Sequence, residues 1–261
     1  MSDVNVLLIS EDGSKWAFET LEALCWSMFN WLTPNLARGS WLRFAPVNDA
    51  ARVAATANMW KSKRPRDSHK ILTLCQTIAT QLLREDGFVF FHVDGDVIWG
   101  ERPSDNLTRF DAIIRTKVRD IIRGHLKKGS AEHSDARLDA IISKFNLLAP
   151  CYSIETWLFA NLRVLRQLGV SNPIVDVWER DLSELDRTAM PKSTLSLTTR
   201  DYPTLARELP VSSLYRLQTS FAASIHEAGA CGSLITRLRL HWPDWVRVQY
   251  GLRGTTQLIE R

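Results

Sequence analysis

Short apolar runs alternate with amphipathic helical stretches, and this alternation constrains the fold of the chain more than any other feature. The clearest run is "GFVFFH" at residues 87–92, which follows a helical pattern of apolar residues over positions 71–83. Similar runs are "VNVLLI", "WLRFAPV" and "KFNLLAP". Strands separated by helices pair in parallel through right-handed crossovers. The sequence therefore predicts an α/β fold, with a mostly parallel sheet and flanking helices.

The pattern of secondary-structure signals in the sequence changes after residue 170. Residues 171–210 carry few strand signals and several turn residues, and helical spacing returns over residues 211–230. We therefore predict one α/β domain over residues 1–170 and an α-helical C-terminal extension, residues 171–261, that packs on it.

Composition restricts the class of protein. The chain has 261 residues and a formal charge of +4, which is compatible with an anionic partner such as nucleic acid but does not require one. Its four cysteines are far apart, which argues against a zinc site and against a disulfide framework. No apolar run approaches 18 residues, so we expect no membrane span and a cytoplasmic location. The sequence leaves the oligomeric state open.

Acidic residues follow three of the four predicted strands. Glu11 follows the first strand, Asp94 and Asp96 follow the third, and Glu155 comes just after the fourth. The carboxyl ends of parallel strands share one edge of the sheet, where ligands usually bind. Strand alternation predicts that Asp94 and Asp96 point to the same side, with Gly95 allowing the backbone to turn. Carboxylates gathered in this way favour Mg²⁺ or Mn²⁺.

Each acidic motif also has an ordinary structural interpretation. Asp94 to Asp96 and the residues after Glu11 are typical of solvated turns, and Glu155 suits the first turn of a helix. The joint pattern favours the metal site instead, because the acids follow different strands in the order expected for one sheet edge. A divalent ion there would polarise a phosphate, and a remaining acid would move protons.

Two groups of basic residues are candidates for contacting a nucleic-acid backbone. One recurs every four residues on the predicted helix after Asp96, and the other lies in a polar loop before residue 68. Their members are Arg115, Arg119, Arg123 and Lys127 on the helix, and Lys61, Lys63, Arg64 and Arg66 in the loop. A solvated helix face and a loop that aids solubility are the alternative interpretations.

The acidic motifs resemble the TOPRIM family, in particular the small standalone bacterial RloB-like and OLD-nuclease-like proteins. The matching text is "VLLISEDG", "FFHVDGD" and "APCYSIETWLFAN", and the resemblance covers roughly residues 4–167. It implies that Glu11 is an acid/base group or metal ligand, that Asp94 and Asp96 bind the metal, and that Glu155 is a further ligand. It also implies a Mg²⁺-dependent nuclease or nicking subunit acting in bacterial anti-phage defence.

The resemblance leaves a non-catalytic alternative open. Asp12 stands where the family usually has glycine directly after the first glutamate, so a binding or assembly module that lost the chemistry is the second hypothesis. The chain also has no Walker-type phosphate-binding loop. The resemblance therefore suggests a separate ATPase partner protein.

Overall fold

In the computed structural model, parallel strands form a sheet through the middle of the molecule. The model describes residues 4–32, 42–61, 68–98, 100–129, 135–189, 191–195 and 197–229. The strands are β1 (Val4–Ser10), β2 (Leu42–Pro46), β3 (Gly87–His92) and β4 (Phe145–Leu148). Their spatial order is β2-β1-β3-β4, and every neighbouring pair is parallel. The predicted α/β fold with flanking helices is confirmed.

Helices make up most of the rest of the described chain. Those that precede β4 are α1 (Ala17–Leu32), α2 (Asp49–Thr56), α3 (Ser68–Leu83), α4 (Asp105–Phe110), α5 (Thr116–Gly129) and α6 (Asp135–Ile142). A 3₁₀ turn, Met59–Lys61, follows α2, and a π-helical turn, Asp111–Arg115, joins α4 to α5. Those that follow β4 are α7 (Glu155–Leu158), α8 (Leu162–Gln167), α9 (Pro173–Arg180), α10 (Pro191–Thr194), α11 (Tyr202–Arg207), α12 (Val211–Leu217) and α13 (Thr219–Gly229).

The sheet separates two apolar cores, and β3 contributes to both. Phe88 and Phe90 lie in a core with α1 and the helices after β4, whereas Val89 and Phe91 lie in a core with helices α2 to α6. This is the alternation that a strand buried on both faces requires, and it explains why β3 is apolar at almost every position.

The helices after residue 170 pack into the same core as α1. Tyr202 and Leu205 of α11 are buried there, and Ser27 Oγ of α1 donates to Ala206 O at 2.6 Å. Trp157 Nε1 donates to Ser220 Oγ of α13 at 2.9 Å. The C-terminal part is helical as far as the description extends, whereas the domain boundary at residue 170 stays a prediction.

One predicted helix is divided into two. The sequence indicates a continuous helix over residues 154–169, but α7 ends at Leu158 and α8 begins at Leu162. Asn161 explains the break, because its side chain accepts from Val164 N at 3.4 Å and caps α8. Its Nδ2 donates to Leu205 O at 2.8 Å, which also ties the break to α11.

The structure bears on two expectations drawn from composition, which concern membrane spans and cysteines. No helix in the described part of the chain is both long enough and apolar enough to cross a bilayer. Cys25, Cys75 and Cys151 are buried free thiols, and burial raises the pKa of each. The fourth cysteine, Cys231, lies outside the described residues.

Candidate functional site

The strand order creates a crevice between the carboxyl ends of β1 and β3. In the sheet, β2 lies on one side of β1, and β3 and β4 lie on the other. The connection from β1 to β2 and the connection from β2 to β3 therefore run in opposite directions across the sheet. Such a switch point is the usual ligand site of an open parallel sheet. Glu11 follows β1 directly, and Asp94 lies two residues beyond β3. Both predicted site residues are therefore at the crevice.

A hydrogen bond joins Glu11 to the backbone of Asp94. Asp94 N donates to Glu11 Oε1 at 2.7 Å, and Glu11 is only 9% exposed. Asn106, at the start of α4, supports both residues, because its Nδ2 lies 2.6 Å from Asp94 O and 3.5 Å from Glu11 Oε2. Trp60 Nε1 donates to Asn106 Oδ1 at 2.8 Å and fixes the orientation of this amide. The first acid is thus held by a buried network.

The environment of Glu11 favours its protonated form. Burial raises the pKa of the carboxyl from 4.5 to about 8, and the negative charge of Asp94 adds to the effect. Opposing contributions from His92, the Asp94 backbone and Lys61 are smaller. A bound cation would favour the charged form that burial and Asp94 disfavour.

Asp94 is oriented by His92. His92 is fully buried, and its Nε2 lies 2.9 Å from Asp94 Oδ1 while its Nδ1 lies 3.1 Å from Ser10 Oγ. Burial lowers the pKa of His92, but the charge of Asp94 and the hydrogen bond to it raise the pKa above its ordinary value. Asp94 Oδ1 also accepts from Ile154 N at 3.0 Å. In the described residues, Asp94 Oδ2 accepts no hydrogen bond and can serve a ligand.

Asp96 does not follow the strand alternation predicted for it. Strand β3 ends at His92, so Asp94 to Asp96 form a loop, in which Asp96 adopts a left-handed φ of 57°. Gly95 is needed for space, because a Cβ there would lie 2.2 Å from Cys151 O on the chain leaving β4. The Asp96 carboxylate is half exposed and pairs with Lys61 Nζ at 2.9 Å.

Glu155 is held by the C-terminal part of the chain. It is the first residue of α7, is 5% exposed, and accepts a hydrogen bond from Tyr202 Oη at 2.6 Å. Burial and the adjacent Glu155 raise the pKa of Tyr202, so the phenol remains a donor. One oxygen of Glu155 is therefore committed to the fold.

The four predicted acids share one cleft of about 470 Å³, which we call the acid cleft. Its lining consists of Glu11, Asp12, Asn58, Lys61, His92, Asp94, Asp96, Tyr152, Ser153, Ile154, Glu155, Lys192 and Ser193. Among the described residues, no three carboxylate, imidazole or thiol groups are close enough to hold a metal ion as they stand. Mg²⁺, however, usually binds through one or two carboxylates and completes its shell with water and substrate phosphate. Asp94 and Glu11 fit that requirement.

The structure separates the predicted basic residues. Lys61 lines the acid cleft, whereas Lys63, Arg64 and Arg66 lie outside the described residues. On the helical stripe, Arg115 pairs with Asp111, Arg119 with Asp139 and Arg123 with Asp120, and Lys127 is exposed. The described lining of the acid cleft includes none of these four, and Arg115 lies over the ring of Phe145, at the opposite end of β4.

Several residues in the acid cleft or bound to its acids were not predicted from the sequence. Asn106 and Tyr202 contact Glu11 and Glu155 from helices whose packing the sequence does not reveal, and Lys192, which lines the cleft, comes from the four-residue helix α10. His92 lies in an apolar run, where a histidine is expected to be a satisfied core group, and it is buried with both ring nitrogens engaged. Its position two residues before Asp94 was the available signal for a role at the site.

We expect Tyr202→Phe to destabilise the protein by about 2 kcal/mol, because it leaves the buried Glu155 carboxylate without its donor. Urea unfolding would measure this loss. Tyr152→Phe is the matched control, since the Tyr152 hydroxyl makes no hydrogen bond within the described chain. In a double-mutant cycle with Glu155→Gln, the two losses should not add. Additive losses would contradict a direct interaction.

Comparison of the chain with protein-family models, with curated proteins and with solved structures found no match.

Proposed function

We propose that the acid cleft binds Mg²⁺ or Mn²⁺ and cleaves phosphodiester bonds of nucleic acid, as a TOPRIM-like nuclease or nicking subunit. The observation that carries the proposal is the direct link between Glu11 and Asp94 at the sheet's switch point, where Asp94 N donates to Glu11 Oε1 at 2.7 Å. Two carboxylates that follow neighbouring strands are suited to a hard divalent cation. One of them, Glu11, is buried, and a cation would stabilise its charged form.

The acidic residues of the acid cleft would have different roles. Asp94, oriented by His92 and Ile154 N, and Glu11 would hold the metal, and Asp96 of the same loop would be a weaker ligand because it pairs with Lys61. When bound, the metal would polarise the phosphate and generate a nucleophile from water at neutral pH. Glu155 would contribute at most one oxygen, because Tyr202 already occupies the other.

The basic residues of the cleft would bind the anionic substrate. Lys61 and Lys192 are far apart in the sequence, and both line the acid cleft. Their ammonium groups can contact phosphate oxygens while the acids hold the metal. Both are surface residues, so ionic strength should weaken this contribution.

The test is cleavage of plasmid DNA and of RNA with Mg²⁺, Mn²⁺ or EDTA. We expect cleavage with either metal, none with EDTA, and none from the Asp94→Ala/Asp96→Ala double variant. Circular dichroism would confirm that the double variant is folded. Cleavage that persists unchanged in the folded double variant would assign the activity to a contaminant or another site.

A non-catalytic binding module is the second candidate, and a specific observation favours it. Lys61 neutralises Asp96, Tyr202 donates to Glu155, Asp94 N donates to Glu11, and Ile154 N donates to Asp94, so all four acids already have protein partners. A folded chain that binds nucleic acid equally well with EDTA and with Mg²⁺, and never cleaves it, would support this candidate.

A further inference from the structure

A second cavity lies beside the acid cleft and shares a wall with it. This cavity, which we call the arginine cavity, has a volume of about 230 Å³. Its lining consists of Lys61, Gly95, Asp96, Val97, Arg102, Asp105, Asn106 and Arg109. Lys61 and Asp96 line both cavities, so this ion pair is part of the wall between them.

The arginine cavity has a surplus of positive charge. Among the described residues that line it, three side chains are cationic and two are carboxylates, and the pairs are Lys61 with Asp96 and Arg102 with Asp105. Arg109 is exposed and has no ion pair within the described residues. Asp105 and Arg109 are four residues apart on α4, so Arg109 lies on the same face of the helix as the Arg102–Asp105 pair. Its guanidinium can therefore contact an anion.

The wall between the cavities is held in position by the site itself. Ser104 Oγ donates to Gly95 O and also caps α4 by accepting from Leu107 N at 3.1 Å. Asn106, one residue beyond the start of α4, lines the arginine cavity and also contacts Asp94 O. The helix that carries Arg109 is thus fixed to the loop that carries Asp94 and Asp96.

We propose that the arginine cavity binds a phosphate of the strand whose neighbouring phosphodiester occupies the acid cleft. The substrate is then a single-stranded nucleic acid that spans both cavities, and a mononucleotide fills only one of them. This inference rests on the proposed function. A single strand is indicated because its flexible backbone can follow two small adjoining cavities of about 230 and 470 Å³, whereas a stiff duplex cannot bend into both.

The arginine cavity is distinct from the basic stripe, which begins in the π-helical turn and continues on α5. In that stripe Arg115, Arg119 and Arg123 are each paired with an aspartate, and the described lining of both cavities contains none of them. Arg109 is therefore the better phosphate contact, and Arg119 supplies a matched control with the same charge on the same helical segment of the chain.

The experiment measures binding of labelled oligothymidylate and oligouridylate by fluorescence anisotropy in EDTA, over a range of salt concentrations. We expect Arg109→Ala to weaken binding about tenfold and to reduce the salt slope by about 0.7, the value for one lost phosphate contact on a single strand. Arg109→Lys should restore the slope, and Arg119→Ala should leave it unchanged. Thymidine monophosphate should compete poorly.

Three outcomes would overturn the inference. The first is that Arg109→Ala and Arg119→Ala weaken binding equally, and the second is that Arg109→Ala leaves the salt slope of binding unchanged. The third is that duplex DNA binds as tightly as the single strand. Because binding is measured without metal, its failure is distinct from failure of the proposed cleavage. Metal-dependent cleavage with an unchanged slope in Arg109→Ala would refute the arginine cavity alone, whereas the expected slope without cleavage would refute the nuclease alone.

Discussion

Asp94→Asn is expected to lower Mn²⁺ affinity and metal-dependent cleavage by more than about 100-fold, the upper end of what loss of an outer-shell partner costs a metal site. Asp94 is the acid that the structure holds most firmly, because His92 and Ile154 N both bind its Oδ1. Its Oδ2 is left for a ligand. Asparagine preserves the shape but removes the charge that the metal needs.

Asp96→Asn makes the same chemical change two residues away and serves as the comparison. Asp96 is half exposed and already paired with Lys61, so its contribution to the metal is weaker. We expect its loss to cost about tenfold or less. Mn²⁺ titration by electron paramagnetic resonance, together with cleavage assays, would measure both variants. Equal losses would mean that Lys61 releases Asp96 and that both aspartates bind the metal alike.

The sheet and two of its acids could be predicted because their signals are local. A run such as residues 87–92 is buried on both faces, and its apolar sequence reports this directly. Once parallel pairing is predicted, the acids after β1 and β3 must meet at one edge. The bond between Asp94 N and Glu11 Oε1 has this origin, although the two residues are 83 positions apart.

The remainder of the site depends on packing between distant segments, which no local pattern reports. Gly95 was predicted to permit a turn, but the model places it where the backbone at Cys151 leaves no room for a side chain. Tyr202 reaches Glu155 across 47 positions, and Asn161 breaks a helical pattern because Leu205 and Glu208 accept from its amide. These contacts are set by how α11 docks, so the sequence of either segment alone cannot specify them.

The pKa shift of Glu11 gives the protein an unusual dependence on pH. Between 4.5 and about 8, the folded protein holds a proton on Glu11 that the unfolded chain has released. The folded state therefore binds more protons, and the free energy of unfolding falls as pH rises through this window. The raised pKa of His92 acts in the same direction, because its stabilisation is lost as pH rises through its folded value.

Glu11→Gln should remove the part of this dependence that belongs to Glu11. In EDTA near pH 9, we expect the variant to be more stable than the wild type by at most about 5 kcal/mol, since it buries no charge. Near pH 4.5 the two should be similarly stable, because folded wild-type Glu11 is then protonated and resembles glutamine in charge. Urea unfolding at both pH values would measure the difference.

Adding Mg²⁺ or Mn²⁺ at high pH tests whether Glu11 binds a metal ion or is only a buried acid. A cation that binds the folded protein stabilises it by mass action, and it does so best when Glu11 is charged. The wild type should therefore recover stability on addition of metal near pH 9, and Glu11→Gln should not. An equal gain in both proteins would place the metal away from Glu11, and no gain in either would leave the acid cleft without its proposed cation.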